Sequence, residues 1–254
     1  MLLMSDLHVP ADPATQILGT LPYRLCEEAF AAIASLRSAP DATIVTGDCA
    51  VTDGQAGDYA ALSQLTAPLS GPMHFVMGNH DNRERFWQAV PSARLSQTAG
   101  SQAGMIALQH ANWFLLDSLR HTNEMRGAIG ADQTAWLLAS LDATPSKPAI
   151  VAMHHNIDTG PSSIGLDGAD ELLEQLRVRR NVKAVFFGHT HNWNIAQHAG
   201  IHLITLPPVA YTFSPHRPRG FVTAKLDSHG AQLTLHALPT DHAQHMETTR
   251  LVWR

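Results

Sequence analysis

Short, almost wholly apolar runs recur through the first part of the chain: Leu2–Met4, Thr43–Val45, His74–Met77, Trp113–Leu116, Ile150–Met153 and Ala184–Phe187. Runs of this length without polar alternation predict strands covered on both faces. Between them the spacing becomes helical. Leu25, Ala29, Ile33 and Leu36 fall on one helix face, and so do Leu172, Leu173 and Leu176. A further helix is predicted from Asp132 to Leu141, with Trp136 and Leu137 turned inward. Later the character changes. Gly200–Leu206, Gly220–Leu226 and Gln232–Leu235 read as strands joined by short turns with no helix between them. An alternating body with a closing β-meander predicts an α/β protein in which two sheets pack face to face and helices flank them. No repeat, low-complexity tract or linker-like stretch divides the sequence, so residues 1–254 are read as one domain.

The residues that end these runs follow a rule. Asp6-x-His8 follows the first run, Gly47-Asp48 the second and Gly78-Asn79-His80-Asp81 the third. His154-His155 follows Ile150–Met153, and Gly188-His189-Thr190-His191 follows Ala184–Phe187. Ligand sites of α/β sheets collect outside the carboxyl ends of the strands, so these residues are expected to converge. Residues i and i+2 of an extended segment point to the same side, which would let both members of Asp6-x-His8 and of His189-x-His191 reach one site. Carboxylates, imidazoles and one amide, without a thiolate, suit a borderline or hard ion such as Mn, Fe or Zn, with Ni and Co as further options. The set Asp6, His8, Asp48, Asn79, His154, His189 and His191 is too large for one tetrahedral site. It matches two metals sharing a carboxylate, an arrangement that clamps a phosphoryl group and activates water for in-line attack. Singly, Asp48 or Asn79 reads better as a turn residue. The set as a whole carries the metal reading.

Composition narrows the partners. Charged residues are 15% of the 254, the formal net charge is -5, and no Lys/Arg run occurs. That argues against a non-specific nucleic-acid or anionic-membrane binder. Histidine is abundant, 16 against 17 Lys plus Arg, which directs attention to the strand ends. Two cysteines, Cys26 and Cys49, make no disulfide framework and read as free thiols in a reducing, cytoplasmic setting. The first residues lack a basic signal-peptide region, and no apolar run approaches the ~18 residues of a membrane span.

The motif series Asp6-x-His8, Gly47-Asp48, Gly78-Asn79-His80-Asp81, His154 and Gly188-His189-x-His191 resembles that of the calcineurin-like metallophosphoesterases in type, order and spacing. The resemblance spans at least residues 4 to 191, and the closing strands fit that family's fold. It implies a four-layer α-β-β-α sandwich of two mixed sheets flanked by helices. It implies one metal on Asp6, His8, Asp48 and His191, and a second on Asp48, Asn79, His154 and His189, with Asp48 as the bridge. His80 would contact the phosphate or protonate the leaving oxygen, and Asp81 would orient it. Either His154 or His155 is the ligand. His154 is favoured, and His155 is left either as a pocket wall that touches substrate or as a merely structural residue. Arg83 reads either as a phosphate contact or as a helix start.

Within the family, several segments are most similar to the bacterial (class III) cyclic-nucleotide phosphodiesterase and glycerophosphodiesterase branch. They are Gly78-Asn79-His80-Asp81-Asn82-Arg83, Leu116-Asp117-Ser118, Gly127 before the Gln133–Leu141 helix, and His154-His155. Asn156 stands where family members usually carry Pro, a departure that concerns the shape of the lid and not the metals. The resemblance thus implies a binuclear-metal phosphodiesterase of small-molecule phosphoesters, acting by attack of a metal-bridging hydroxide. Alternatives are a phosphomonoesterase or nucleotide-sugar pyrophosphohydrolase of the same fold, and a protein-binding scaffold that has lost catalysis; the complete ligand set argues against the last. Apolar residues in the later loops leave a homodimer open. Tyr211, Phe213 and His216, in a Pro-rich loop, are candidates for the pocket rim, whereas His121, Asn123 and Glu124 read as a solvated loop.

Overall fold

The computed structural model describes all residues except 96, 97, 99 and 158–163. The first half of the chain forms β1 (Leu2–Met4), α1 (Pro22–Ala34), β2 (Thr43–Val45), α2 (Ala56–Thr66), β3 (Met73–Phe75), α3 (Arg83–Ala89), β4 (Gly104–Ala107) and β5 (Asn112–Leu115). There follow β6 (Gly127–Ala128), α4 (Ala131–Ala143), β7 (Ala149–Ala152), β8 (Leu166–Asp167), α5 (Ala169–Arg177) and β9 (Val182–Phe187). Strands β10 (Asn194–His198), β11 (Ile201–Thr205), β12 (Arg219–Asp227), β13 (Gly230–Leu238) and β14 (Thr248–Val252) close the fold.

Two six-stranded mixed sheets result, in the orders β14-β13-β12-β1-β2-β3 and β10-β11-β9-β7-β5-β4, with a small β6-β8 pair beside them. The pairs β1–β2, β2–β3, β5–β7, β7–β9 and β9–β11 are parallel, and β1–β12, β12–β13, β13–β14, β10–β11 and β4–β5 are antiparallel.

The apolar runs show no polar alternation because alternate side chains feed different cores. In β1, Leu3 faces the second sheet while Leu2 and Met4 pack with Cys26, Phe30, Tyr59 and Phe86 of the first helical layer. In β7, Ile150 and Ala152 join the inter-sheet core, while Ala149 and Val151 meet Leu137, Leu141, Leu172 and Leu176 of α4 and α5. Helix layer, sheet, sheet and helix layer are therefore stacked as the resemblance implied.

Several expectations shift in detail. The buried stripe of α1 is Pro22, Cys26, Ala29, Phe30 and Ile33, rotated so that Leu25 and Leu36 sit half-buried at its edge. Trp136 is half-buried against the α4–α5 core rather than inside it. The closing meander is β12-β13-β14 in the first sheet, whereas the Gly200–Leu206 run supplies β11 of the second. The chain crosses between the sheets over 206–218, where Val209 N–H donates to Ser5 O at 2.9 Å and Ala210 N–H to Asp6 O at 3.2 Å. That crossing lies directly over the carboxyl end of β1. Among the described residues, no helix is long and apolar enough to cross a membrane.

Candidate metal centre

Three of the five strands that lead into a motif, β1, β2 and β9, are followed by left-handed turns. Asp6 and His8 after β1, Asp48 after β2, and His189 and His191 after β9 have φ of 52°, 45°, 49°, 68° and 48°. The left-handed region costs a non-glycine residue about 1–2 kcal/mol, although short polar side chains tolerate it better than most. Strain of this kind collects at functional sites, where the surrounding structure holds it. Here the supports are Asp6 N–H to Gly47 O at 3.1 Å, His8 N–H to Asp48 O at 2.9 Å, and His189 N–H to both Asp6 carboxylate oxygens at 3.2 Å. The i, i+2 pairs thus reach one site through left-handed turns and not, as expected, from extended segments. Two glycines permit the closeness. A Cβ at Gly78 would stand 2.2 Å from Asp48 Oδ1, and one at Gly188 would stand 1.8 Å from Ser5 Oγ.

The turns bring two donor clusters together. Asp6, His8, Asp48 and His191 each offer one atom, all within 4.8 Å of one another, and His154, His155 and His189 do the same. Asn79 joins the second cluster, its Oδ1 3.1 Å from His154 Nε2. Asp48 belongs to both: its Oδ2 is 3.6 Å from His8 Nε2 and 3.4 Å from His154 Nε2. His80 N–H donates to the other oxygen, Oδ1, at 2.8 Å and so fixes the carboxylate.

Backbone carbonyls set the imidazole tautomers, since a carbonyl only accepts. His154 Nδ1–H donates to Thr46 O at 2.8 Å, His191 Nδ1–H to Tyr211 O at 2.7 Å and His189 Nε2–H to Ile164 O at 2.9 Å. His8 Nδ1 faces Val51 O at 3.4 Å. The opposite nitrogens then face one another. His8 Nε2 lies 3.0 Å from His191 Nε2, and His154 Nε2 lies 3.2 Å from His189 Nδ1. Lone pairs at that separation repel unless a proton or a cation lies between them. Carbonyls that accept from the far ring nitrogen and orient the imidazole in this way are the usual support of metal-binding histidines.

Electrostatics agree. Burial pushes His8 down to about 3 against the pull of Asp48, and pushes His189 down to about 4, so both stay neutral with a lone pair to give. Burial, the largest single influence, lowers His154, but the Asp48 carboxylate beside it, Asp6 and the Thr46 carbonyl together lift it to about 9. Conversely, burial would raise Asp48, and His154 holds it well below the usual carboxylate range. The charge that keeps a proton on His154 is one that would equally attract a metal ion. Buried, mutually facing imidazoles and two buried carboxylates with no Lys or Arg partner among the described residues fit a pair of divalent ions.

Three expectations need correction. Asp81 does not orient His80. It is fully buried, and its oxygens accept from Cys49 N–H at 3.1 Å, Ala50 N–H at 3.1 Å, Gly78 N–H at 2.9 Å and the Tyr59 hydroxyl at 3.2 Å. His80 Nδ1 is held instead by Thr52 O at 2.6 Å and Asn123 Oδ1 at 3.2 Å, so Asn123 is more than a solvated loop residue. Of the two readings of Arg83 the helix start holds, because α3 begins there, and its side chain is not free for a phosphate. Its guanidinium grips Asp117 with two nitrogens and also donates to Leu119 O. His155 is no substrate-facing wall. It is fully buried beside His154 and His189, with Nδ1 against Ser118 Oγ at 2.8 Å and Nε2 without a hydrogen-bond partner among the described residues.

The carbonyls of Thr46, Thr52 and Tyr211 could not be foreseen, because main-chain acceptors leave no side-chain signature. The rim candidates Tyr211 and Phe213 do lie at the first cluster: Tyr211 is 5.0 Å from His8 and Phe213 4.5 Å from His191, centroid to centroid. His216 is exposed and makes no ring contact with either cluster among those described.

Residues 1–193 match the family described as calcineurin-like phosphoesterase. The chain is 27% identical over 218 residues to a 3',5'-cyclic adenosine monophosphate phosphodiesterase of Pseudomonas aeruginosa, covering 84% of this chain and 76% of that protein. It is 27% identical over 183 residues to a glycerophosphodiester phosphodiesterase of Enterobacter lignolyticus, covering 69% and 65%. Its fold is similar to that of a dimetal phosphatase from Danio rerio, with a TM-score of 0.73 at 18% identity over 100% of this chain and 98% of the other. The family match runs through all five strand-end motifs that build the two clusters, and the chain belongs to the calcineurin-like phosphoesterases, hydrolases of phosphoester bonds.

Proposed function

We propose that the protein is a dinuclear-metal phosphodiesterase of small phosphodiesters, with cyclic nucleotides and glycerophosphodiesters as the substrate class. The observation that carries this reading is Asp48. Its Oδ2 lies 3.6 Å from a nitrogen of one donor cluster and 3.4 Å from a nitrogen of the other, so one carboxylate can serve two ions. Asp6, His8, Asp48 and His191 would hold the first ion, and Asp48, Asn79, His154 and His189 the second. Bound ions of this kind supply Lewis-acid stabilisation of the charge that builds on phosphoryl oxygens and lower the pKa of water.

The chain's own residues do the rest. His80 N–H fixes Asp48 by one oxygen and leaves the other to both clusters. Thr52 O and Asn123 Oδ1 engage His80 Nδ1–H and leave Nε2 at the partly exposed rim. From there a protonated Nε2 can give its proton to a departing alkoxide oxygen, a step that contributes typically ~10²–10⁴-fold in rate. Diesters are favoured because the site is poor in fixed cations. Arg83 is bound to Asp117, and Arg120 and Arg126 to Asp167. A monoester dianion gains most from a guanidinium fork, whereas a diester carries a single charge and leaves with an alkoxide that needs a proton. The named activities of the two bacterial relatives point the same way.

The test is hydrolysis of bis(p-nitrophenyl) phosphate beside p-nitrophenyl phosphate by metal-stripped protein, alone and with Mn, Fe, Zn or Ni. Metal-restored turnover that favours the diester is expected, followed by turnover of cyclic AMP or glycerophosphoethanolamine. A monoester preference would replace this reading with that of a monoesterase. Binding of two metals without any turnover would favour a scaffold.

A further inference from the structure

The 206–218 crossing carries an aromatic pair onto the rim of the first cluster. Tyr211 is buried, while Phe213 is 62% exposed. One face of Phe213 stacks on His191 at 4.5 Å between centroids with an interplanar angle of 25°. Tyr211 meets Phe213 edge-on at 6.0 Å and leans on His191 at 4.8 Å. The segment is fixed from both ends. Val209 and Ala210 N–H groups donate to the carbonyls of Ser5 and Asp6, His191 Nδ1–H to Tyr211 O, and Thr212 Oγ1–H to Ser214 O. Phe213 is thus a positioned ring with one face supported and the other open, a single imidazole away from the nitrogens that face each other between His8 and His191.

We propose that the open face of Phe213 is the stacking platform for the nucleobase of a cyclic-nucleotide substrate, and that it selects base-bearing diesters over base-free ones. The inference rests on the phosphodiesterase reading above and deepens it. A flat, apolar, ordered ring beside a phosphate site favours a ligand that joins a phosphate to a π-system. Base–aromatic stacking tolerates any base but strengthens with ring area, so purines gain more than pyrimidines. A glycerol diester has no π-face and gains nothing from it.

The experiment uses the metal-loaded protein and measures kcat and KM for cyclic AMP, cyclic UMP and glycerophosphoethanolamine, with bound metal per chain determined for each variant. Phe213→Ala is expected to raise KM for cyclic AMP about tenfold, with the change falling on KM rather than kcat. The preference for cyclic AMP over cyclic UMP and over the glycerol diester should narrow in step. Phe213→Leu keeps an apolar cover without a π-face and should behave like the alanine variant, while Phe213→Trp should retain the preference. Equal losses on all three substrates, or loss of metal from Phe213→Ala, would make the ring a mere cap on His191 and overturn the proposal while leaving the phosphodiesterase reading intact. Wild-type protein that turns over glycerophosphoethanolamine but no cyclic nucleotide would overturn the platform by removing its ligand.

Discussion

Replacing Asp81 by Asn separates a structural role from a chemical one at the heart of the Gly78-Asn79-His80-Asp81 motif. Asp81 is fully buried, and its carboxylate joins the turns after β2 and β3. Oδ1 accepts from Cys49 and Ala50 N–H and from the Tyr59 hydroxyl, and Oδ2 accepts from Gly78 N–H at 2.9 Å. In Asp81→Asn the best placement keeps the amide oxygen where Oδ1 was and points its NH₂ at Gly78 N–H, donor against donor. A charge-assisted bond worth ~1.5–3 kcal/mol is lost there, and the remaining three weaken from ionic to neutral. Relief of the buried charge offsets part of this, for burial, reinforced by Asp48, already pushes Asp81 up to about 6. The net cost is about 3 kcal/mol, which for a domain of this size lowers Tm by about 6–12 °C. Thermal and urea unfolding measure it, with metal content and turnover followed at a temperature where the variant is folded. A Tm within about 1 °C of wild type together with lost turnover would refute the reasoning and return Asp81 to the chemistry.

Arg83→Met should destabilise the protein by about 3–5 kcal/mol in urea unfolding, because the Asp117 side chain is 0% exposed and would lose its bidentate partner. A raised KM at unchanged stability would instead make Arg83 a phosphate contact. Gly188→Ala should reduce bound metal to below about half of the wild-type value, measured by elemental analysis. The added Cβ would stand 1.8 Å from Ser5 Oγ and 2.5 Å from Asp6 Oδ2, forcing Asp6 away. Full metal content in that variant would show that the turn has slack the structure does not display.

What could be read from the sequence, and what could not, follows from range. Buried central strands such as Leu2–Met4 and Ile150–Met153 announce themselves because both faces are covered, and their carboxyl ends place Asp6, Asp48, Asn79, His154 and His189 in one region. The edge strands β10 and β14 do not, since β10 has no fully buried residue and β14 only Leu251, so neither carries an apolar pattern. Helix α2 buries Asp58, Tyr59, Ala61 and Leu62 without a clean apolar stripe, and α3 is only seven residues long. Within the site, residue types gave the donors but not their supports. The partners of His80 are a carbonyl and Asn123, 43 positions away, and those of Asp81 include Tyr59, 22 positions away. Left-handed φ at Asp6 and His191 was equally hidden, because neither residue is glycine.

The central claim is that two donor clusters share Asp48 and hold two ions. Bound metal per chain, measured by elemental analysis of wild-type protein and of Asp48→Ala after equilibration with Mn or Zn and desalting, tests it most directly. The account predicts about two ions in the wild type and loss of both in the variant, with the folded state retained. A wild type that holds about one ion, or an Asp48→Ala protein that still holds two, would contradict it.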